Sequence, residues 1–315
     1  MVTREQVARS RAINRRTGRT FYLATRFLPK RTRRATYALY GFFRIADEVV
    51  DRADPAPPAE QRAELRRIQD AVLGPDEPDD PALAAFRVVR EEYDIPDREV
   101  ELFVDAMATD VEKRQYETYD ELEAYMRGSS VAVANMMMAV MQVDDPETAA
   151  PHAAALAEAF QLTNFLRDVR EDVVDRDRIY LPVETLREHG ASVAQVRDLE
   201  MSAEFAAALC HELRRTEDRY REGVAGIKYL PADCQFPVLL AAVLYADYHR
   251  LIRRYDADVL TNEPSLSLAR KLSIAARTYW QWHRTRDPEA VFHGVSAVSR
   301  TRRPGMGPGV DPVAR

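Results

Sequence analysis

Four aspartates are spaced for chemistry. Asp47 and Asp51 lie in RIADEVVD, and Asp168 and Asp172 in NFLRDVREDVVD, each pair four residues apart. On a helix that spacing puts both carboxylates on one face. Paired carboxylates on a cavity wall suit a hard cation: Mg²⁺ takes one or two of them and fills its other places with phosphate oxygens and water. Two such pairs meeting across a helical bundle would hold Mg²⁺ against a diphosphate, an arrangement able to ionise an allylic diphosphate.

Spacing alone is a weak signal. The 315 residues contain 26 aspartates, so chance supplies roughly two such matches. A third match, Asp76 with Asp80 in GPDEPDDP, sits among prolines and a glycine and reads as a solvated loop. Context separates the other two. Each lies in a long helical pattern with an arginine just before it, Arg44 and Arg167.

The pairs also extend into stripes. Tyr40, Arg44, Asp47 and Asp51 share one helix face, whereas Phe42, Phe43, Ile45, Val49 and Val50 make the other sides apolar. Buried charge needs a partner, so a charged ligand is expected there rather than a solvated face. Gln161, Asn164, Arg167, Asp168 and Asp172 form the second stripe. Asn164 adds an amide oxygen as a ligand or orienter, and Arg167 a donor fork for phosphate. Glu171 and Asp175 fall elsewhere on that helix and are expected to be solvated.

The elements that position these groups read as helices throughout. Only 11 glycines occur, Ala, Leu, Arg and Glu abound, and no alternating run is bounded by Asn-Gly or Asp-Gly. The periodicity predicts helices over 4–16, 31–51, 59–73, 81–93, 97–114, 119–142, 147–175, 202–226, 234–257 and 265–285, with short pieces up to 199. Loops are expected at 16–20, 74–81 and 177–182. The fold class is all-α, a single large bundle around a cavity over 1–295, followed by a Gly/Pro-rich tail over 296–315 expected to be disordered. Met136, Met137, Met138 and Met141 read as core filler or as the wall of a lipid channel. Small residues from Gly128 to Ala134 permit close approach.

Several classes are disfavoured. A net charge of −6 argues against nucleic-acid binding. Cys210 and Cys234 make neither a disulfide framework nor a metal spacing. The histidines include no E-x-x-H or H-x-x-x-H pattern, and neither a nucleophile elbow nor a dinucleotide fingerprint is present. The N-terminal stretch lacks the apolar core of a signal peptide, and the longest apolar runs, 131–143 and 236–246, are too short to span a bilayer. A soluble, cytoplasmic protein is expected, at most peripheral to a membrane.

Taken in order, Thr20-Phe21-Tyr22, Leu28-Pro29, ALYGFFRIADEVVD, YMRGSSVAVANMM, QLTNFLRDVREDVVDRDRIYLP and LLAAVLYADYHRLIRRYDADVL resemble the squalene/phytoene synthase family over about residues 10–290. The resemblance implies an all-α isoprenoid synthase that joins two prenyl diphosphates head to head. It implies that Asp47, Asp51, Asn164, Asp168 and Asp172 hold Mg²⁺, with Mn²⁺ a candidate substitute. Arg44 and Arg167, helped by Tyr40, Tyr180 and Tyr245, would bind diphosphate, and Phe21 and Gln161 would line the reaction centre. The phytoene branch is favoured: two geranylgeranyl diphosphates pass through prephytoene diphosphate to phytoene, the committed step of carotenoid synthesis, with no NADPH. The alternatives are an NADPH-dependent squalene synthase using farnesyl diphosphate, and an inactive member serving in assembly. Two departures stand out: Glu48 replaces the second aspartate of D-D-x-x-D, and Val131 and Ala134 replace glycines, which would narrow the channel. Contact with a membrane is the route such a product would need.

Overall fold

The computed structural model describes residues 19–300 except 53 and 55. Its helices are α1 (Arg19–Thr25), α2 (Lys30–Val50), α3 (Pro58–Leu73), α4 (Pro81–Glu92), α5 (Asp97–Asp110), α6 (Tyr119–Met126) and α7 (Ala132–Met141). These are followed by α8 (Pro146–Arg167), α9 (Val169–Arg176), α10 (Val183–Glu188), α11 (Val193–Arg197), α12 (Ala203–Ala225), α13 (Ala232–Arg254), α14 (Leu268–Thr285) and α15 (Pro288–Val295). Among the described residues the only β pairing is an isolated bridge between Gln115 and Ile179, so the all-α expectation holds. The predicted helix over 4–16 lies outside the described residues.

Most boundaries follow from local chemistry. Asp80, which the spacing rule had paired with Asp76, caps α4 by accepting from the amides of Ala82 (2.7 Å) and Leu83 (3.4 Å). Asp145 caps α8 through the Thr148 amide at 3.1 Å, with Pro146 at the first helical position, where no amide donor is needed.

Four expectations need correction. The loop expected at 16–20 is shortened, because α1 already begins at Arg19. The helix expected over 119–142 carries a π turn at Arg127–Val131 between α6 and α7. The helix expected over 147–175 breaks at Asp168 (φ −101°, ψ 18°). Bonds from the Asp168 amide to the Asn164 carbonyl (2.9 Å) and from the Asp172 amide to the Asp168 carbonyl (2.8 Å) keep the two halves in step. Finally, the chain does not leave the body at 296. A further helix, α15, ends there, Val298 is fully buried, and Arg221 donates to the Ser299 carbonyl at 2.9 Å. Residues 301–315 lie outside the described residues.

Three larger apolar clusters fill the body. One packs α2 to α7 around Phe42, Phe86 and Phe103, the first two rings stacked at 4.2 Å. A second joins α8, α12, α13, α14 and α15; a third lies under α10 and α11. The helix carrying the second stripe is held by a buried polar network. The hydroxyl of Thr163 on α8 meets Tyr220 (2.9 Å, α12) and His249 (3.0 Å, α13), and Glu217 accepts from Arg253 at 2.6 Å. Buried hydrogen bonds of this kind allow few alternative packings. Close helix approach depends on glycine at two crossings: a Cβ on Gly128 would stand 2.3 Å from the Leu102 carbonyl oxygen, and one on Gly223 2.6 Å from the Leu156 backbone.

The buried Val298 gives a direct test. Val298→Ala should cost about 2 kcal/mol, lowering the melting temperature by roughly 4–8 °C for a domain of this size. An unchanged melting temperature would remove residues 296–299 from the folded body.

Candidate active site

All twelve residues singled out in the sequence line one polar cavity of about 440 Å³. Phe21 comes from α1, Tyr40, Arg44, Asp47 and Asp51 from α2 and its end, and Gln161, Asn164 and Arg167 from α8. Asp168 sits at the break, Asp172 on α9, Tyr180 on the loop after it and Tyr245 on α13.

The two aspartate pairs meet across this cavity. Arg176 shows it most directly: its guanidinium lies 3.5 Å from Asp51 of the first pair and 3.0 Å from Asp172 of the second. Arg178 lies 3.0 Å from Asp51 and also donates to the carbonyls of Val50 and Asp110, each at 3.0 Å. Arg44 stands 3.5 Å from Asp47. Arg167 donates to both carboxylate oxygens of Asp168 and lies over the Tyr248 ring at 4.6 Å.

Arg176, Arg178, Asp110 and Tyr125 line the same cavity, and the sequence reading missed them. Arg176 follows Asp172 by four residues, so that half of its pairing was readable. Asp110 stands on the cavity face of α5 with Phe103 and Met107, an acid at helical spacing on an apolar stripe. It accepts from Tyr125 at 2.7 Å and from Tyr180 at 3.4 Å. The loop carrying Arg178 and Tyr180 is tied down by backbone bonds: the Ile179 amide donates to the Arg114 carbonyl and that of Val183 to the Tyr116 carbonyl, both 2.9 Å. Glu171, expected to be solvated, is half exposed but borders the cavity and pairs with Arg176 at 2.8 Å. Asp175 is exposed as expected. Glu48 is 56% exposed and lines neither cavity.

Crowding of acids shapes their protonation. Asp47 keeps 32% of its side chain accessible, yet protein surrounds it deep in the cavity. Loss of water pushes its carboxyl up to about 7, Asp51 and Asp110 adding to the rise and Arg44 and Arg176 opposing it. Asp110 is pushed up to about 6, chiefly by burial and against Arg178. Burial also holds Asp172 well above the usual carboxylate range, against Arg176. Bound cations would relieve the same repulsion.

The lining fits a hard cation. Its ligating groups are carboxylates, amides and hydroxyls, without histidine or cysteine. Among the described residues no group of three or more acidic, imidazole or thiol side chains converges to hold an ion.

A second, apolar cavity of about 250 Å³ adjoins the first, and Phe21, Ser129, Val133, Met137, Gln161 and Tyr245 border both. Met137, Met138 and Met141 form part of its wall, whereas Met136 does not; Met136, Met138 and Met141 are all buried. Ala134 lines the channel but Val131 does not, leaving one of the two glycine replacements in a position to narrow it.

The site generates a matched test. Asp47→Asn or Asp168→Asn should lower turnover at least about 100-fold, roughly 3 kcal/mol of transition-state stabilisation, with the fold intact. Asp76→Asn, outside both cavities, should change nothing. Near-normal turnover of either site variant at saturating Mg²⁺ would sink the two-pair arrangement.

Comparison with known proteins matches this architecture. Residues 14–270 fit the family model for squalene/phytoene synthase. Phytoene synthase of Cereibacter sphaeroides is 33% identical over 262 residues, covering 80% of this chain and 73% of that protein. The 15-cis-phytoene synthase of Synechococcus elongatus is 30% identical over 275 residues, covering 83% and 88%. A dehydrosqualene synthase solved with a bound ligand superposes with a TM-score of 0.79 at 26% identity, covering 88% of this chain and 97% of that one. The chain belongs to the squalene/phytoene synthase family of all-α isoprenoid synthases.

Proposed function

We propose that this enzyme condenses two molecules of geranylgeranyl diphosphate head to head, through prephytoene diphosphate, to phytoene. One observation carries the reading: a cavity lined by two facing aspartate pairs and four arginines opens directly into an apolar channel. Charged heads and hydrocarbon tails of the substrate thereby have separate, adjoining places.

Asp47, Asp51, Asp168, Asp172 and the amide oxygen of Asn164 are the groups that would hold Mg²⁺. When bound, Mg²⁺ neutralises diphosphate and favours its departure as an anion. Arg44, Arg167, Arg176 and Arg178 already face these acids, and their guanidinium forks can turn to phosphate oxygens. Tyr40 and Tyr180 lie within the same wall and add hydroxyl donors. Phe21, Gln161 and Tyr245, at the junction of the two cavities, stand where an allylic carbon bonded to the diphosphate must lie. The apolar channel keeps water from the carbocations formed on ionisation.

The proton lost in the final step needs an acceptor. Burial pushes the Tyr245 phenol up to about 12, Tyr248 and Tyr40 adding to the rise and Arg167 opposing. It therefore stays neutral near pH 7 and serves as a donor. The departing diphosphate is the better base.

Among the described residues no helix is long and apolar enough to cross a membrane. A peripheral contact is therefore the proposed route for a hydrocarbon product.

The deciding experiment is product analysis with purified protein. Geranylgeranyl diphosphate and Mg²⁺, without a nicotinamide cofactor, should yield phytoene. Conversion of farnesyl diphosphate to squalene only on addition of NADPH, with the longer substrate ignored, would transfer the protein to the squalene branch and leave the metal-site proposal standing. No turnover of either substrate would favour a non-catalytic role.

A further inference from the structure

α14 buries Ile274, Thr278 and Trp282 and turns a different set of side chains outward. Leu268 is 70% exposed, Leu272 53%, Tyr279 52% and Trp280 58%. Leu268, Leu272 and Tyr279 follow i, i+4, i+11 and so form one stripe, with Trp280 beside it. The stripe continues onto other elements. Tyr279 packs edge-on to Phe236 (5.8 Å), and Phe236 edge-on to Phe27 (5.5 Å), itself 47% exposed. Scattered single apolar residues are ordinary on a surface, but a continuous row with two aromatics at its centre marks a docking face.

The charge along α14 has one sign, and the acid nearest Phe236 in sequence, Asp233, is paired with Arg31 at 2.6 Å. From Pro264 to Arg286 the chain contains no acid and five bases, Arg270, Lys271, Arg277, Arg284 and Arg286, in a protein of net charge −6. Arg270 is committed to Asp247 at 2.7 Å. Arg277, Arg284 and Arg286 are exposed, and Arg284 lies over the Trp280 ring at 4.5 Å. Aromatic and aliphatic side chains flanked by arginines are the composition of a helix lying in a lipid headgroup layer. A second copy of the same face would instead bring like charges together.

The face also adjoins the apolar channel. Leu28, next to Phe27, and Pro237 and Val238, next to Phe236, are part of the channel wall.

We propose that this face, centred on Leu272, Tyr279 and Trp280, docks the enzyme on an anionic lipid bilayer. On the proposed synthase reading, the channel then delivers its hydrocarbon product into the membrane beside Phe27 and Phe236. Tails of membrane-borne substrate enter by the same side.

The test uses the full-length protein and vesicles of phosphatidylcholine, with or without an equal share of phosphatidylglycerol. The wild type should co-sediment with the anionic vesicles, release at high salt, and leave neutral vesicles largely unbound. Of the two tryptophans Trp282 is buried, so a blue shift of emission on binding reports Trp280. Leu272→Glu with Trp280→Glu should weaken vesicle binding at least about tenfold and keep the wild-type melting temperature, both side chains being exposed. Turnover of detergent-dispersed substrate should be unchanged, while transfer of product into vesicles falls. Vesicle binding is read without substrate, so a failed synthase assignment leaves this result interpretable. Absence of binding to anionic vesicles, or equal binding by the double variant, overturns the proposal. So does a double variant that converts a dimer to monomer while binding vesicles normally, because the face then serves a second copy.

Discussion

The arrangement depends on the cost of placing several carboxylates in one poorly hydrated cavity. Asp47, Asp51, Asp110, Asp168 and Asp172 face the same space, and in a folded protein such charge must be paired or discharged. Arg44, Arg167, Arg176 and Arg178 supply the pairing. Arg176 matters most to the architecture, because it binds one acid from each motif and so ties the end of α2 to α9. Burial raises the carboxyls of Asp47, Asp110 and Asp172 against the pull of these arginines. On the proposed reading, cations bound here would relieve the acids and free the arginines for a diphosphate.

Separation of charge from hydrocarbon follows from the helices on the other side of the cavity. Tyr125, Ser129, Val133 and Met137 all border the polar space at four-residue intervals. On an uninterrupted α-helix such a row drifts by about 40° per step. The π turn at Arg127–Val131 is wider and offsets that drift, so the row stays aimed at the cavity while Met138 and Met141 line the channel. A π turn beside a functional site is a recurring association.

How much of this could be read beforehand depended on whether a residue's role was local. The aspartate pairs, their arginines and the stripe of Gln161 and Asn164 follow from helical spacing, and all of them reach the cavity. The same spacing picked out Asp76 with Asp80, and only the surrounding prolines exposed the coincidence; the structure shows Asp80 as a helix cap. Asp110 and Arg178 were missed because their partners lie 59 and 127 residues away in the chain: Asp110 faces Asp51, and Arg178 bonds to it. The breaks at Asp168 and Arg127 were missed for a different reason. Neither carries a proline, and helical bonding is altered there without being lost. The burial of Val298 ran against a composition rich in Gly, Pro and Arg that begins just beyond it.

The buried tyrosines complete the chemical logic. Tyr125, Tyr180 and Tyr245 are all pushed toward less acidic phenols, by burial first. A phenolate near a carbocation would capture it covalently, whereas a neutral ring offers its electron-rich face without forming a bond. The apolar surroundings that exclude water therefore do a second job: they keep these hydroxyls protonated. On the proposed reading, the same desolvation that strains the carboxylates protects the cation they help to create.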